Sequence, residues 1–427
     1  MLLRRYIDRT FASLRIRNYR LFFWGQALSM SGTWMQTIAL GWLVLTLTGS
    51  GTMLGFVLAF QFGPMFFFGP WGGVIADRLD KRMMLLTTQT AFAALAFVIS
   101  IVIIAGAIEL WMLYLYAFLF GVIRVFDNPV RQSFVSEMVD DAHLKNAISL
   151  NATLNNSARA VGPSLAGIII ATVSIGFCFL FNSLSYFGTI VSLLMMDRSA
   201  LTPSKPTGRK SGQLVEGLAY AWSVPLIRYT LLMMAVIGTF TYEFQVTLPL
   251  IAQQTFASGA SAYAALMSAF GVGSMFGGLF SAGRRTVAPH HLLIFALLLG
   301  LSIVLASIMP TLILSVAAMF VVGVFSINVL SLGNTTVQLG SIPEMRGRVM
   351  ALWSTAMIGS TFIGGPAIGW IGEFIGARSA LAASGFAAIA AVLVAARFVL
   401  RHDEVREVPE SVTTLSVSET AQQIRVR

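Results

Sequence analysis

The chain has 427 residues, of which 56% are hydrophobic and only 11% charged, and its mean hydropathy is +0.80. Several apolar runs are long enough to cross a hydrocarbon core of about 30 Å, which takes roughly 20 residues per helix, so a soluble globular chain is excluded. The formal net charge of +10 would suit a nucleic-acid partner, but where the charges lie argues against one.

The first twenty residues, MLLRRYIDRTFASLRIRNYR, set Leu3, Ile7, Phe11 and Leu14 at helical spacing among arginines, which predicts an amphipathic surface helix over residues 1–18. The hydrophobic stretch that begins near Leu21 is of span length and shows no small-residue cleavage site, so it reads as a span and not a cleaved signal. Apolar spans run over 19–47, 52–76, 83–106, 110–131, 146–171, 174–196, 228–252, 261–282, 290–309, 312–334, 349–372 and 379–400. Backbone groups cannot stay unpaired in lipid, and the runs lack the two-residue alternation of a barrel strand, so all twelve are predicted to be helices. Segment 197–227, rich in Pro, Ser, Gly and Lys, predicts a flexible linker between two six-helix bundles at 19–196 and 228–401. Residues 402–427 are polar and mixed in charge, and are expected to be a disordered tail.

Twelve spans put both termini on one side. If that side is the cytoplasm, the inner segments carry Arg4, Arg5, Arg9, Arg78, Lys81, Arg82, Lys145, Arg198, Lys205, Arg209, Lys210, Arg284, Arg285, Arg346 and Arg348, while the outer loops carry only Arg378. The positive-inside rule then accounts for the basic charge without nucleic acid. Cys178 is the sole cysteine, so no intramolecular disulfide and no cysteine metal site is expected.

The halves echo each other. FLFGV at 118–122 recurs as FVVGV at 320–324, SEM at 136–138 as PEM at 343–345, and GPSLAG at 162–167 as GPAIGW at 365–370, in the same order and at nearly constant offset. A duplicated six-helix unit repeated about the membrane normal is a transporter architecture. The loop GGVIADRLDKR at 72–82 concentrates charge at the end of a hydrophobic run, and GGLFSAGRR stands at the corresponding place in the second copy.

That loop resembles the loop 2–3 signature of the major facilitator superfamily, with Asp80 where a glycine is usual between the basic groups. The Gly-Pro of span 5 resembles the superfamily's antiporter motif, although Ala158 and Ala166 replace usual glycines. FDNPVRQ at 126–132 and NNSARAVGP at 155–163 resemble most closely the drug:proton antiporter branch that contains enterobactin exporters and macrolide efflux proteins. The resemblance covers residues 15 to 400. It implies an all-α membrane fold of twelve transmembrane helices in two pseudo-symmetric bundles, functional as a monomer. It also implies a gate in which Asp77, at the end of span 2 with Gly73, meets the start of span 11 near Arg348 to Leu352. Arg78 and Arg82 would reach partners in the other half or lipid phosphate. An anion at the C-terminal end of its own helix is badly placed, and becomes favourable when it caps another helix.

Charges within spans should face protein or water, since a charge in a lipid-facing helix centre costs about 2.5–3.5 kcal/mol. Arg124 and Asp127 in span 4, Arg159 in span 5 and Glu243 in span 7 are therefore candidates for a central path. Glu243 has apolar and aromatic neighbours that would desolvate its carboxylate, which suits a group that loads and releases a proton; a permanent ion pair, for instance with Arg159, is the alternative. Arg124 and Asp127 are i and i+3 and could simply pair with each other. Arg159 has no such neighbour in its helix and could orient the carboxylate or bind an anionic substrate group. Gly162-Pro163 and Gly365-Pro366 predict helix kinks or close packing of spans 5 and 11.

GVGSMFGG at 271–278 lies inside a span and lacks the strand-turn-helix setting of a nucleotide site, and His290 and His291 have no further ligand in view. No Walker loop, metalloprotease helix or nucleophile elbow occurs, so neither an enzyme nor a cofactor is expected. The 32 Phe and 20 Met suit an adaptable wall for amphipathic substrates. The sequence thus reads as a proton-coupled exporter of a hydrophobic or amphipathic small molecule in a bacterial inner membrane. The alternatives are uptake or lysophospholipid flipping by the same fold, and a non-transporting sensor or assembly factor.

Overall fold

A computed structural model describes residues 11–76, 79–202, 213–282, 288–359 and 361–403, and among these there is no strand. The first half of the chain forms six long helices: α1 (Arg17–Thr48), α2 (Gly51–Ala76), α3 (Lys81–Ile104), α4 (Leu110–Met138), α5 (Asp141–Thr172) and α6 (Ile175–Leu194). After α7 (Gln213–Ser223), the second half forms α8 (Pro225–Val236), α9 (Phe244–Leu250), α10 (Ala260–Ala282), α11 (Pro289–Ser307), α12 (Leu312–Gly340), α13 (Pro343–Ser354), α14 (Thr361–Phe374) and α15 (Ala377–Asp403). The seventh span is α8 and α9 joined by a π-helical segment, Ile237–Thr241, and the eleventh is α13 and α14 joined by another, Thr355–Gly359. Twelve rods result. The predicted helices over residues 1–10, the tail from 404, and Asp77 and Arg78 lie outside the described residues.

Nine stretches among the described residues are both long and apolar enough to span a membrane. Rods one, five and eleven are not among them: one and five carry several polar residues, and the described residues of rod eleven are interrupted at position 360. Gln26 and Gln36 lie on α1, Asn155, Asn156 and Arg159 on α5, and Arg346 and Arg348 on α13.

Rod ends follow local chemistry. Asp80 caps α3 by accepting from the Met83 N–H at 2.8 Å, so the residue that replaces the usual loop glycine starts the next helix. Gly49 ends α1 in the left-handed conformation, at φ 65°. Segment 197–227, expected as a flexible linker, is helical over α7. That helix packs on α13, with Glu216 paired to Arg348 and the Tyr220 hydroxyl accepting from the Ile342 N–H at 3.1 Å.

The expectation that Arg82 reaches the other half or lipid phosphate is corrected. Its guanidinium donates to the carbonyls of Leu193 at 2.7 Å and Leu194 at 3.3 Å, which completes the C-terminal end of α6 within the first half. A cation is favoured there because the last carbonyls of a helix lack partners and carry partial negative charge. Beside it, buried Lys81 pairs with Glu137 of α4 at 2.6 Å. Arg82→Ala is expected to lower the melting temperature of the detergent-solubilised protein, because charge-assisted bonds of this kind contribute about 1.5–3 kcal/mol. An unchanged melting curve in a thermal-shift assay would contradict the capping role.

Candidate functional site

The seventh span is interrupted midway, at Tyr242 and Glu243. Glu243 is not helical, at φ −82° and ψ 37°, and its carbonyl accepts from the N–H groups of Val246 and Thr247, both at 3.0 Å, to start α9. The π-helical turn just before it leaves the regular hydrogen-bond ladder, and such turns collect at functional sites. The Glu243 side chain is only 1% exposed, yet neither carboxyl oxygen has a hydrogen-bond partner. The Thr361 side chain is its polar neighbour. Gly364 of the eleventh span backs onto the same point: a Cβ there would lie 3.0 Å from Glu243 Oε1 and collide with the Thr239 carbonyl oxygen. The broken seventh span and the eleventh span therefore meet at one buried carboxyl.

Glu243 and Arg159 form no ion pair. The Arg159 guanidinium lies over the Trp34 ring, 4.9 Å from its centroid, and its Nε is buried without an acceptor. Tyr242 is near enough to interact with it electrostatically from across the boundary between halves. Arg159 thus stands opposite the break in the seventh span, held by an aromatic face.

The pairing of Arg124 with Asp127 that their spacing allowed is not the one formed. Asp127, 2% exposed, pairs instead with Arg131, whose Nε and terminal nitrogen donate at 2.9 and 2.5 Å. An i,i+4 arginine can reach back to the carboxylate, and both Arg131 donors meet Oδ2. The hydroxyl of Thr88 and the amide of Gln89 complete the set, each at 2.8 Å, and Arg131 also donates to Gln26. Arg124 turns away and rests over the Phe62 ring at 5.5 Å. Gln26 and Gln89 carry no signal in the sequence beyond being polar residues in apolar runs, whereas Arg131 lies in the FDNPVRQ motif.

The halves close on each other at the face opposite the described chain ends. A Cβ on Gly55 of α2 would collide with the Gly365 carbonyl of α14, so the two backbones touch. Nearby, the Ser164 and Ser268 hydroxyls bond across the boundary between α5 and α10 at 2.9 Å. Helices α5 and α14 continue through Pro163 and Pro366, and the preceding glycines serve close approach. Gly162 accommodates Trp34 and the backbone at Ser31 and Met35 of α1. At the seam, Glu373 of α14 accepts from the Ser50 hydroxyl at 2.5 Å and the Thr52 N–H at 3.0 Å, capping the start of α2 in the other half.

Sequence reasoning overlooked Glu373, although a signal existed. The pattern Gly-Pro-x-x-Gly-x-Ile-x-acid occurs at 69–77, ending in Asp77, and again at 365–373, ending in Glu373. Gly73 lies within α2 of the described structure.

Known proteins resemble this chain in sequence and in fold. The chain is 23% identical over 401 residues to the enterobactin exporter EntS of Escherichia coli, covering 92% of this chain and 95% of the exporter. It is 29% identical over 176 residues to the staphyloferrin A transporter of Staphylococcus aureus, an alignment that spans 41% of this chain and only 44% of that relative. A third relative, macrolide efflux protein A of Streptococcus pyogenes, is 24% identical over 159 residues, 36% of this chain and 39% of its own. Among solved structures, a mutant of the nucleoside transporter NupG superposes with TM-score 0.73 at 14% identity, covering 90% of this chain and 99% of that one. An inward-facing bacterial homolog of the lysosomal transporter Spinster gives 0.66 at 14% identity, over 90% and 98%. The family model described as transmembrane secretion effector matches residues 8–424. The chain is therefore a multi-pass membrane protein of the transmembrane secretion effector family, within the major facilitator superfamily of transporters.

Proposed function

We propose that this transporter exports a hydrophobic or amphipathic small molecule in exchange for protons, by alternating access between its two six-helix halves. The observation that carries the reading is Glu243, a buried carboxyl without a hydrogen-bond partner at the break in the seventh span, where the eleventh span packs against it. Discontinuous membrane helices at mid-depth gather substrate and coupling-ion sites in secondary transporters. A carboxyl there that charges when its side is wet and discharges when it closes couples a proton gradient to the cycle. The closed seam at Gly55 and Gly365 supports an arrangement in which the opposite face is shut.

In this reading both termini lie in the cytoplasm of a bacterial inner membrane, lipid surrounds a functional monomer, and the protein catalyses no reaction. Export is the activity for which the enterobactin and macrolide relatives are named. The test is flux of candidate compounds in proteoliposomes with an imposed pH gradient. Export against the compound's own gradient, driven by inward proton flow, is expected. Uptake in the same assay would indicate import, and gradient-driven movement of lysophospholipid alone would indicate flipping. Absence of any gradient-driven flux would favour a sensor or assembly role.

A further inference from the structure

Arg124 and Arg159 are two cations midway along the inner rods that form no ion pair among the described residues, Arg124 feeling the Asp127 carboxylate only at longer range. Asp127, the nearest acid in sequence, is saturated by Arg131, Thr88 and Gln89. Glu243 lies across the boundary and does not pair with either arginine. The central region therefore carries a positive excess in either protonation state of Glu243. A bare guanidinium in a membrane interior is costly, so a site that keeps two of them open is built to receive something.

Their surroundings narrow what that is. Each guanidinium rests on one ring, Phe62 or Trp34, which holds the cation through its π face and leaves the N–H edge free. Arg159 Nε, buried and without an acceptor, is such an edge. Guanidinium edges recognise carboxylate or phenolate oxygens through paired N–H donors, and the adjoining Trp34, Phe62 and Tyr242 rings offer apolar area to the rest of the molecule. A cationic amphiphile would meet like charge in the same place.

We infer that the central site selects an anionic amphiphile whose carboxylate or phenolate oxygens are bound by Arg124 and Arg159. This rests on the transporter reading above and goes further by choosing the charge class of the substrate.

The test uses the full-length protein in detergent and three probes of matched size: 2-naphthoate, 2-naphthyltrimethylammonium and neutral 2-acetylnaphthalene. Equilibrium binding is measured by calorimetry for wild type, Arg124→Gln, Arg159→Gln and Arg159→Lys. The anion is expected to bind best to wild type, and each glutamine variant to lose about tenfold or more of that affinity, the scale of a lost charge-assisted bond. Arg159→Lys should recover part of it, since charge remains and the fork does not. Unchanged binding of the neutral probe and an unchanged melting temperature would show that the variants are folded.

The inference is overturned if the cation binds wild type at least as tightly as the anion, or if the glutamine variants keep full anion affinity. Binding in detergent needs no gradient, so the two readings separate. Gradient-driven flux with no anion preference would sink the substrate class alone, and anion selectivity without such flux would sink proton coupling alone.

Discussion

Glu243→Gln is expected to reduce pH-gradient-driven transport to the level of empty proteoliposomes while leaving substrate exchange at equal pH intact. The substitution keeps the size of the side chain and removes only its ability to carry a proton on and off. A proton moving down one pH unit supplies about 1.4 kcal/mol, enough for roughly tenfold accumulation per proton carried. With the carrier group gone, accumulation should fall to unity. Exchange at equal pH requires only that the halves rock with substrate bound. If Glu243 were a packing element, the isosteric amide would be tolerated and both activities would survive. A variant that still concentrates substrate under the gradient at the parental rate would remove Glu243 from the coupling step. The environment makes this a sensitive substitution, because the carboxyl is buried and so closely enclosed that a Cβ on Gly364 would lie only 3.0 Å from its Oε1.

Much of this architecture was legible in the sequence, because a membrane span announces itself through continuous apolarity and a buried charge stands out against it. Glu243, Arg124, Asp127 and Arg159 are conspicuous for that reason. Their partners are not, because partner choice is settled in three dimensions. Asp127 had a candidate at i−3, Arg124, and another at i+4, Arg131, and spacing alone does not rank them; the ring of Phe62, sixty-odd residues earlier, takes Arg124 out of the competition. Arg82 was read as a gate residue from its motif, yet its nearest unsatisfied acceptors are the last carbonyls of α6, more than a hundred residues away. The break in the seventh span and the π-helical turn in the eleventh escaped notice because neither Tyr242-Glu243 nor the stretch from Thr355 to Gly359 contains proline; the prolines that drew attention, Pro163 and Pro366, lie inside helices that run on. The helix at Gln213–Ser223 was hidden by the Pro- and Gly-rich stretch before it.

Glu373→Ala is expected to loosen the closed seam, and the effect should appear as a change in conformational population and not in folding. Glu373 projects from the end of α14, where its own helix offers partial negative charge, and finds its compensation only at the start of α2 in the other half. Its bonds to Ser50 and Thr52 therefore exist only while this face is shut. An anion at a partly buried helix start contributes up to about 2 kcal/mol, so its loss would shift the closed-to-open ratio by as much as about thirtyfold. The hydroxyls of Ser164 and Ser268, 2.9 Å apart across the same boundary, give a reporter. A Ser164→Cys, Ser268→Cys pair, in a background where Cys178 is buried, should cross-link readily under mild oxidation. Adding Glu373→Ala should cut the yield severalfold, with Glu373→Gln intermediate because an amide oxygen still accepts from Thr52 without the charge. Equal yields in all three backgrounds would show that the backbone contact at Gly55 and Gly365 closes the seam unaided. Because the local pattern that ends in Glu373 at 365–373 also ends in Asp77 at 69–77, a reduced yield would make Asp77→Ala the natural companion variant, expected to favour the inverse state.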